Sequence, residues 1–486
     1  MLRHVHQSGA IVEEIAWVDP EAAFVPLADK PGALWFDSCD ATHHAARFSF
    51  IAHAPYQTIS VADWQAREGF ARLDAALRAH GDIWHDLPAE IDACLPPWRG
   101  GAAGYFGYDL AYGLEELPPN EAPFATDRLH VPAMSQGLYG TLLAFDHQAK
   151  RAFLIATGLP AETPAARSDA ARQAIDDYKA GLVGVPSNAL TPPPEAGQPG
   201  APLSCNFTPT AFRGAVKQTV EAILNGDLFQ ANLTQCFETQ LADDDNALDF
   251  YRRLRRVSPA PFAAFCRFDD FAIASASPER FLQAHAGRIE TRPIKGTAER
   301  GQTDAADKAI AATLEASEKN RAENVMIVDL LRNDLAKTCL DHSITVPDLC
   351  RLESFSNVHH LVSTICGHLA DDKTPLDALR EAFPGGSITG APKIRAMQHI
   401  ASLEDCRRGP SYGAIGWIGF DGRMDTNIVI RTAIIKDRQC RFHVGGGIVA
   451  DSDPHSEYEE TLNKAAGLLA ALGISRAQIA GDDEVA

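Results

Sequence analysis

The stretch from Gly413 to Val444 constrains the fold of this chain more than any other. An apolar run, Gly413–Phe420, meets Asp421-Gly422; a second run, Thr426–Ile435, and a third, Gln439–Val444, follow. An Asp-Gly pair between apolar runs readily adopts the positive φ angles of a tight hairpin turn, so consecutive antiparallel strands are expected. The pattern recurs in Pro261–Arg267, a turn at Asp269-Asp270, Phe271–Ser275, Phe281–Ala284 and Arg288–Arg292. Nearer the amino terminus, Ala33–Phe36, Phe48–Ile51 and the pair Leu138–Phe145 and Arg151–Thr157 also read as strands. Pro209–Asn225 reads as a helix, and so does Lys319–Cys339, where Ile327, Leu330, Leu331 and Leu335 recur on one face. Strands and helices do not alternate regularly, which argues against a doubly wound parallel sheet. The fold class expected is α+β, with antiparallel sheets and helices packed outside them.

Pro186–Pro202, with Thr191-Pro-Pro-Pro-Glu195 and Gly197-Gln-Pro-Gly200, cannot continue a helix or a central strand. It reads as a surface linker or an ordered excursion. The chain is therefore divided into an amino-terminal segment 1–185, a linker 186–203, a main domain 204–475 and an acidic tail 476–486. A net charge of −20 disfavours nucleic acid or an anionic membrane as partner, and obliges an anionic substrate to find a local basic pocket. Lys295, Arg300, Lys393, Arg431 and Lys464 are the candidates to supply one. The ten cysteines are scattered without Cys-x-x-Cys spacing, as in reduced cytosolic proteins. No signal-peptide core and no membrane-length apolar run stand out, so a cytoplasmic location is expected.

Lys295 is the most informative single residue. Glu290 to Ile294 read as a strand end with Thr291 suited to a pleated surface, Pro293 fixes the approach, and Gly296 lets the backbone turn close to a ligand. An amine held between Glu290, Glu299, Arg292 and Arg300 would have a shifted pKa and could act as a nucleophile. Near the carboxy terminus, Ser456 and Glu459 match a capping box, so a helix should begin there. On it Glu457, Glu460 and Lys464 share one face, while Leu462, Ala466 and Leu469 form the core stripe. Arg431, flanked by Ile428-Val-Ile430 in an expected strand, would be partly buried and would need an anionic partner. Gly445-Gly-Gly447 would allow close backbone approach to a carboxylate, or else make a strand-end bend. Gly385-Gly-Ser-Ile-Thr-Gly390 lacks the Lys-Ser/Thr of a phosphate loop and is expected to shape a cleft wall instead.

These motifs come in a fixed order: Ser277-Pro-Glu-Arg-Phe281, Pro293-Ile-Lys-Gly-Thr297, Glu323-Asn-Val-Met-Ile-Val-Asp-Leu-Leu-Arg-Asn-Asp334, Gly385 to Lys393, Ser411 to Gly416, Asn427 to Arg431, Gly445 to Gly447 and Ser456 to Lys464. The set, spanning Pro209 to Leu472, resembles the chorismate-utilising enzymes. The resemblance implies an antiparallel β-sandwich with a central cleft, to whose shared core the amino-terminal segment adds strands. It implies a magnesium ion held by Glu323, Glu457 and Glu460, whereas Asp329 and Asp334 are expected to be structural. Substrate contacts would come from Gly296, Thr297, Tyr412, Arg431, Gly445, Gly446, Gly447 and Lys464. Glu279 matches the family's general acid/base, and His360 the histidine near the departing ring hydroxyl. Asn324 departs from the histidine common at that position in anthranilate synthases.

Within the family, isochorismate and salicylate synthases activate water with a lysine where this chain has Gln230, and an amide cannot act as that base. Anthranilate synthases carry alanine where this chain has Lys295. A lysine in Pro-Ile-x-Gly-Thr is the mark of aminodeoxychorismate synthases. The implied activity is amination of chorismate at C4 through a covalent adduct on Lys295, in 4-aminobenzoate and folate synthesis. No Gly-x-Cys-x-Gly elbow is present, so ammonia would come from a separate glutamine amidotransferase subunit, and no fused lyase is expected after Leu472. The alternatives are an anthranilate synthase component I and a non-catalytic chorismate-binding regulatory subunit. A pocket around Leu34-Trp-Phe-Asp-Ser38 could hold tryptophan.

Overall fold

Residues 2–40, 43, 45–115, 129–188, 190–355, 358–476 and 479 are described by the computed structural model. Of the tail 476–486, all but 476 and 479 lie outside them. Two antiparallel sheets dominate. In the larger, twelve strands run in the order Arg3–Val5, Ile11–Ile15, Arg151–Ala156, Thr141–Asp146, Phe48–Ala52, Leu34–Asp37, Phe262–Arg267, Phe271–Ser277, Thr432–Lys436, Gln439–Ile448, Gln230–Gln240 and Ala201–Cys205, with Gly390–Ala391 also paired to Gln230–Gln240. The smaller runs Ile294–Glu299, Val358–His368, Arg288–Thr291, Arg280–His285, Met424–Ile428, Ala414–Gly419, Gly101–Phe106, Met134–Tyr139 and Gln57–Val61, with Thr345–Ser354 on the other edge of Val358–His368. Each sheet joins a block of strands from the amino-terminal part of the chain to a block from the carboxy-terminal part: Leu34–Asp37 pairs with Phe262–Arg267, and Gly101–Phe106 with Ala414–Gly419.

The period-2 alternation of a strand explains the layering. In Phe262–Arg267, Ala263 and Phe265 pack under the helices outside the larger sheet, whereas Ala264 and Cys266 point the other way. In Ala414–Gly419, Ile415 and Trp417 join Ala264 and Cys266 in a core shared by the two sheets. Ala414 and Ile418 face the opposite way, into a core with Ile327, Val328, Leu331 and Leu335 of helix Glu318–Ala336. The result is a sandwich with helices on both outer faces, which is the α+β architecture expected. Among the described residues, no helix is long and apolar enough to cross a membrane.

Several local expectations are corrected. Leu138–Phe145 is two strands, Met134–Tyr139 and Thr141–Asp146, in different sheets. Thr426–Ile435 is likewise broken: Met424–Ile428 belongs to the smaller sheet and Thr432–Lys436 to the larger. Arg431 therefore sits at the crossover, with φ of 51°, and not inside a strand. Gly445–Gly447 is no strand-end bend but lies within Gln439–Ile448, paired with Asn232–Thr234. The carboxy-terminal helix starts at Pro454, because Asp453 and not Ser456 accepts the backbone N–H at the cap. On that helix Leu462 and Leu469 are buried, but Ala465 takes the core position expected of the exposed Ala466. The Pro-rich segment is an ordered excursion, held where Arg252 and Arg253 donate to the Thr191 and Pro194 carbonyls.

Candidate active site

The site forms where the strand Gln439–Ile448 meets the helix Pro454–Ala471 and the strand Ile294–Glu299. Three adjacent glycines build its floor. At Gly445 a Cβ would strike the Leu233 carbonyl, so only glycine permits that strand pairing. At Gly446 a Cβ would lie 3.2 Å from Glu457 Oε2, 3.5 Å from Glu460 Oε1 and 3.8 Å from Lys464 Nζ. At Gly447 it would overlap Gln230 Nε2 and lie 3.7 Å from Lys295 Nζ. Gly445 thus permits the strand pairing, Gly446 leaves room for the helix carboxylates and Lys464, and Gly447 leaves room for Gln230 and Lys295. Glu457, Glu460 and Lys464 do share a helix face, and it is the face turned to Gly446. Lys464 donates to Glu460 Oε1 at 2.7 Å and to the Gly445 carbonyl at 2.8 Å. Ser452 donates to Glu457 Oε1 at 2.6 Å.

Lys295 lies within a strand, not at a hairpin end. Gly296, at φ of 83°, bulges the pairing between Ile294 and Thr297 against Val358–His368 and turns the amine inward. The charges around it differ from those expected. Glu290 pairs with Arg288, Arg292 with Glu353, and Arg300 with Asp307. The groups that act on Lys295 are Glu279, Glu323, Lys464 and Glu460. Burial dominates and lowers its pKa, the carboxylates opposing. Among the described residues the ammonium makes no hydrogen bond or ion pair. Lys393, also expected in the basic pocket, instead donates to Asp334 at 2.9 Å and to the Ala382 carbonyl, away from this site.

Glu279 is buried, and desolvation raises its pKa against Lys295, the Ser387 hydroxyl and the Ile294 amide, which all favour the carboxylate. Ser387 belongs to the loop expected to shape the cleft wall, and its hydroxyl is a site contact that the sequence did not single out. Burial likewise raises Glu323 and Glu457. Burial pushes Glu460 up, but Lys464, Lys295 and Lys319 together hold it below its ordinary value. Lys319, one turn before Glu323 on the same helix, acts on all three carboxylates and was also missed. Its signal was the i, i+4 spacing to Glu323.

The remaining residues surround this core. Burial, with Arg431 adding to it, lowers His360 to about 4, and its Nδ1 lies 2.9 Å from Thr297 Oγ1. Burial also lowers Arg431, which Glu279 partly offsets. Among the described residues Arg431 makes no ion pair. Tyr412 is buried under the Arg408 guanidinium, 4.9 Å from its ring centroid, and feels Glu460. Both amide atoms of Gln230 are buried without a hydrogen-bond partner beside Gly447. Asn324 is structural: it donates to the Leu361 carbonyl and accepts from Ser363. Asp334 is buried against Lys393, and Asp329 pairs with Arg332 on the surface.

Glu457 and Glu460 present carboxylate oxygens over Gly446, where a side chain would crowd them, and Glu323 stands near enough to Glu460, Lys295 and Lys464 to feel their charges. That donor set fits a hard cation such as magnesium. Lys295, Lys464 and Arg431 add positive charge for an anionic ligand. A separate cavity of about 540 Å³ lies between the sheets, lined by Phe36, Asp37, Ser38, Arg280, Glu290 and Asp425. Of the residues expected around a tryptophan pocket, Phe36, Asp37 and Ser38 line it, whereas Leu34 and Trp35 are buried in the hydrophobic cores; Lys295 does not line it.

The sequence profile described as chorismate binding enzyme matches residues 32–470. Aminodeoxychorismate synthase component 1 of Salmonella typhimurium is 38% identical over 93% of this chain and 96% of its own. Anthranilate synthase component 1 of Thermus thermophilus is 36% identical over 94% of this chain and 96% of its own. Among solved structures, anthranilate synthase component I from Streptococcus pneumoniae TIGR4 superposes with a TM-score of 0.69 at 31% identity, covering 87% of this chain and 92% of the other. Two relatives with different names match almost equally, so overall identity does not choose between them.

Proposed function

Because the chain belongs to the chorismate binding enzyme family, we infer that it aminates chorismate at C4 to give 4-amino-4-deoxychorismate. The observation that carries this choice is Lys295 itself, unpaired, lowered in pKa and turned toward Gly447 at the heart of the site. The neutral amine attacks ring C2, the ring double bonds shift, and the C4 hydroxyl leaves as water once protonated. Ammonia then adds at C4, the double bonds shift back, and the C2–N bond breaks to free Lys295. Chorismate and ammonia are consumed; aminodeoxychorismate and water are released.

Glu279 is suited to move the proton in each half, since burial raises its pKa and the Lys295 charge beside it opposes that rise. His360, lowered to about 4, is neutral at pH 7 and acts as a hydrogen-bonding imidazole near the hydroxyl, not as an imidazolium acid. Glu323, Glu457 and Glu460 would hold magnesium, which when bound supplies positive charge against the ring carboxylate. Arg431 and Tyr412 would take the enolpyruvyl carboxylate, with Lys464 at the ring carboxylate. A partner glutaminase would deliver the ammonia in the cell.

The decisive experiment incubates the purified chain with chorismate, magnesium and ammonium at alkaline pH. Aminodeoxychorismate as product supports the assignment, and anthranilate refutes it. Glutamine in place of ammonium should give no turnover unless a glutaminase is added.

A further inference from the structure

Further along, the strand that contains Gly445–Gly447 and its neighbour Gln230–Gln240 carry a second cluster with a different chemistry. Cys236 and His443 are register partners on the antiparallel pair Gln230–Gln240 and Gln439–Ile448, so their side chains leave the same face side by side. Cys406 comes from the loop that follows helix Lys393–Leu403. One ligand atom from each of the three, two sulfurs and a ring nitrogen, all lie within 4.8 Å of one another. Cys236 and His443 are each only 2% exposed, and Cys406 is half-buried.

The imidazole is the unexplained part. Both ring nitrogens of His443 are buried and neither makes a hydrogen bond, although the Arg407 backbone carbonyl lies beside the ring. A buried imidazole normally has a partner for at least one nitrogen, because desolvating it without one is costly. The loop bearing Cys406 is fixed on both sides. Cys236 N–H donates to Asn206 Oδ1 at 2.7 Å, and Asn206 Nδ2 donates to Asp405 Oδ1 at 2.9 Å. Arg408 donates to Glu404 at 2.7 Å and to the Asn232 carbonyl at 2.6 Å. The three donors are thus held together by elements far apart in sequence.

We propose that Cys236, Cys406 and His443 form a binding site for a thiophilic divalent cation of the zinc class. Two thiolates and a neutral imidazole are the soft and borderline donors such an ion selects, and neither magnesium nor another hard cation would choose them. Binding releases the two thiol protons, so two thiolates balance the dication in a buried place. The half-buried Cys406 leaves the fourth coordination position open to water. The Arg407 carbonyl is placed to receive the N–H of the ring nitrogen that does not bind metal, as commonly seen around metal-bound histidines. A Cys236–Cys406 disulfide is the competing reading, but it would leave His443 with no partner beyond the Arg407 carbonyl. A bound ion would tie the loop 404–408 to the two strands, and so stabilise the fold without entering the chemistry at Lys295.

The test uses the full-length, untagged, fully reduced protein. Titration with cobalt(II) should give one equivalent of thiolate-to-metal charge-transfer absorption, which zinc abolishes by displacement. Zinc should also raise the thermal midpoint and protect Cys406 from alkylation. Cys406→Ser should lose the band and the protection; because Cys406 is half-buried, that variant is expected to fold. Cys94→Ser, at an exposed and distant cysteine, should keep both. No charge-transfer band in the reduced wild-type protein would overturn the site, as would an undiminished band in Cys406→Ser. So would a Cys236–Cys406 disulfide whose reduction yields no metal binding.

Discussion

Glu279 and Lys295 are driven in opposite directions by the same burial: the carboxyl is raised and the amine lowered, while each charge opposes the shift of the other. Desolvation thus brings the neutral pair closer in energy to the ion pair, which eases proton exchange between acid/base and nucleophile.

The rate of adduct formation with chorismate, measured by mass spectrometry without ammonia, should therefore rise with pH as Lys295 loses its proton. It should level off below the ordinary lysine value of about 10.4. In Glu279→Gln the amine loses its largest opposing charge, so the plateau should begin at lower pH. Overall turnover in that variant should fall about 10²- to 10⁴-fold with the loss of acid–base help. Lys295→Ala should lose the adduct, and Lys295→Arg should not restore it, since a guanidinium stays protonated. A Lys295→Ala enzyme at full rate would leave direct attack by ammonia as the mechanism.

The carboxylate cluster should trade stability against metal binding. Glu323 and Glu457 have raised pKa values, so their ionised forms are disfavoured in the fold. The sign follows: the cost is absent while they are protonated, and complete once pH exceeds their folded-state pKa. Glu457→Gln should thus raise the metal-free thermal midpoint at pH 7 by about 1 to 2 °C, while abolishing magnesium-dependent turnover. In the wild-type protein, stabilisation by magnesium should grow with pH over the same range, as protons cease to compete. Wild-type activity undiminished in excess chelator would remove the metal from the reading.

Three adjacent glycines should give three different phenotypes. Gly445→Ala forces a Cβ onto the Leu233 carbonyl and should destabilise the fold by about 1 to 3 kcal/mol, as overpacking does. Gly446→Ala places a methyl against Glu457 and Glu460, and should weaken magnesium binding with little loss of stability. Gly447→Ala displaces the Gln230 amide beside Lys295, and should cost about 10²-fold in turnover through misplaced substrate. Equal thermal and kinetic effects at all three positions would mean that the glycines serve only the strand.

How much of this was legible in the sequence depends on range. The Asp421-Gly422 hairpin and the face shared by Glu457, Glu460 and Lys464 follow from local periodicity, and both stand in the structure. The break at Val429–Arg431 did not show, because a strand that leaves one sheet and a strand that enters the other are both apolar, and no Pro or Gly marks the crossover. The charges assigned to Lys295 were its sequence neighbours, yet Glu290, Arg292 and Arg300 are paired with Arg288, Glu353 and Asp307, and the fold brings Glu279 and Glu323 to Lys295 from elsewhere. Asp453 outcompeted Ser456 as a cap because Pro454 favours the first helical turn and the Asp453 carboxylate reaches the Ser456 amide at 2.9 Å. Gln230 was recognised as the residue in place of a lysine, but its contact with the Gly447 position is a long-range fact of strand pairing.

Arg431 is the final case, because its position carries a cost that only a ligand would offset. It sits at the sheet crossover with positive φ, mostly buried, with burial lowering its pKa and no ion-pair partner among the described residues. A buried guanidinium without a carboxylate is unfavourable unless an anion arrives. Arg431→Ala should therefore leave the thermal midpoint of the free enzyme unchanged or slightly raised. It should raise KM for chorismate by roughly 10- to 100-fold, the loss expected for charge-assisted hydrogen bonds to a carboxylate. Arg431→Lys should recover only part of the affinity, since an ammonium cannot make the paired bidentate contact. Saturating chorismate should stabilise the wild-type protein against heat more than either variant. A large drop in the midpoint of ligand-free Arg431→Ala with KM unchanged would instead make the residue a structural tie between the two sheets.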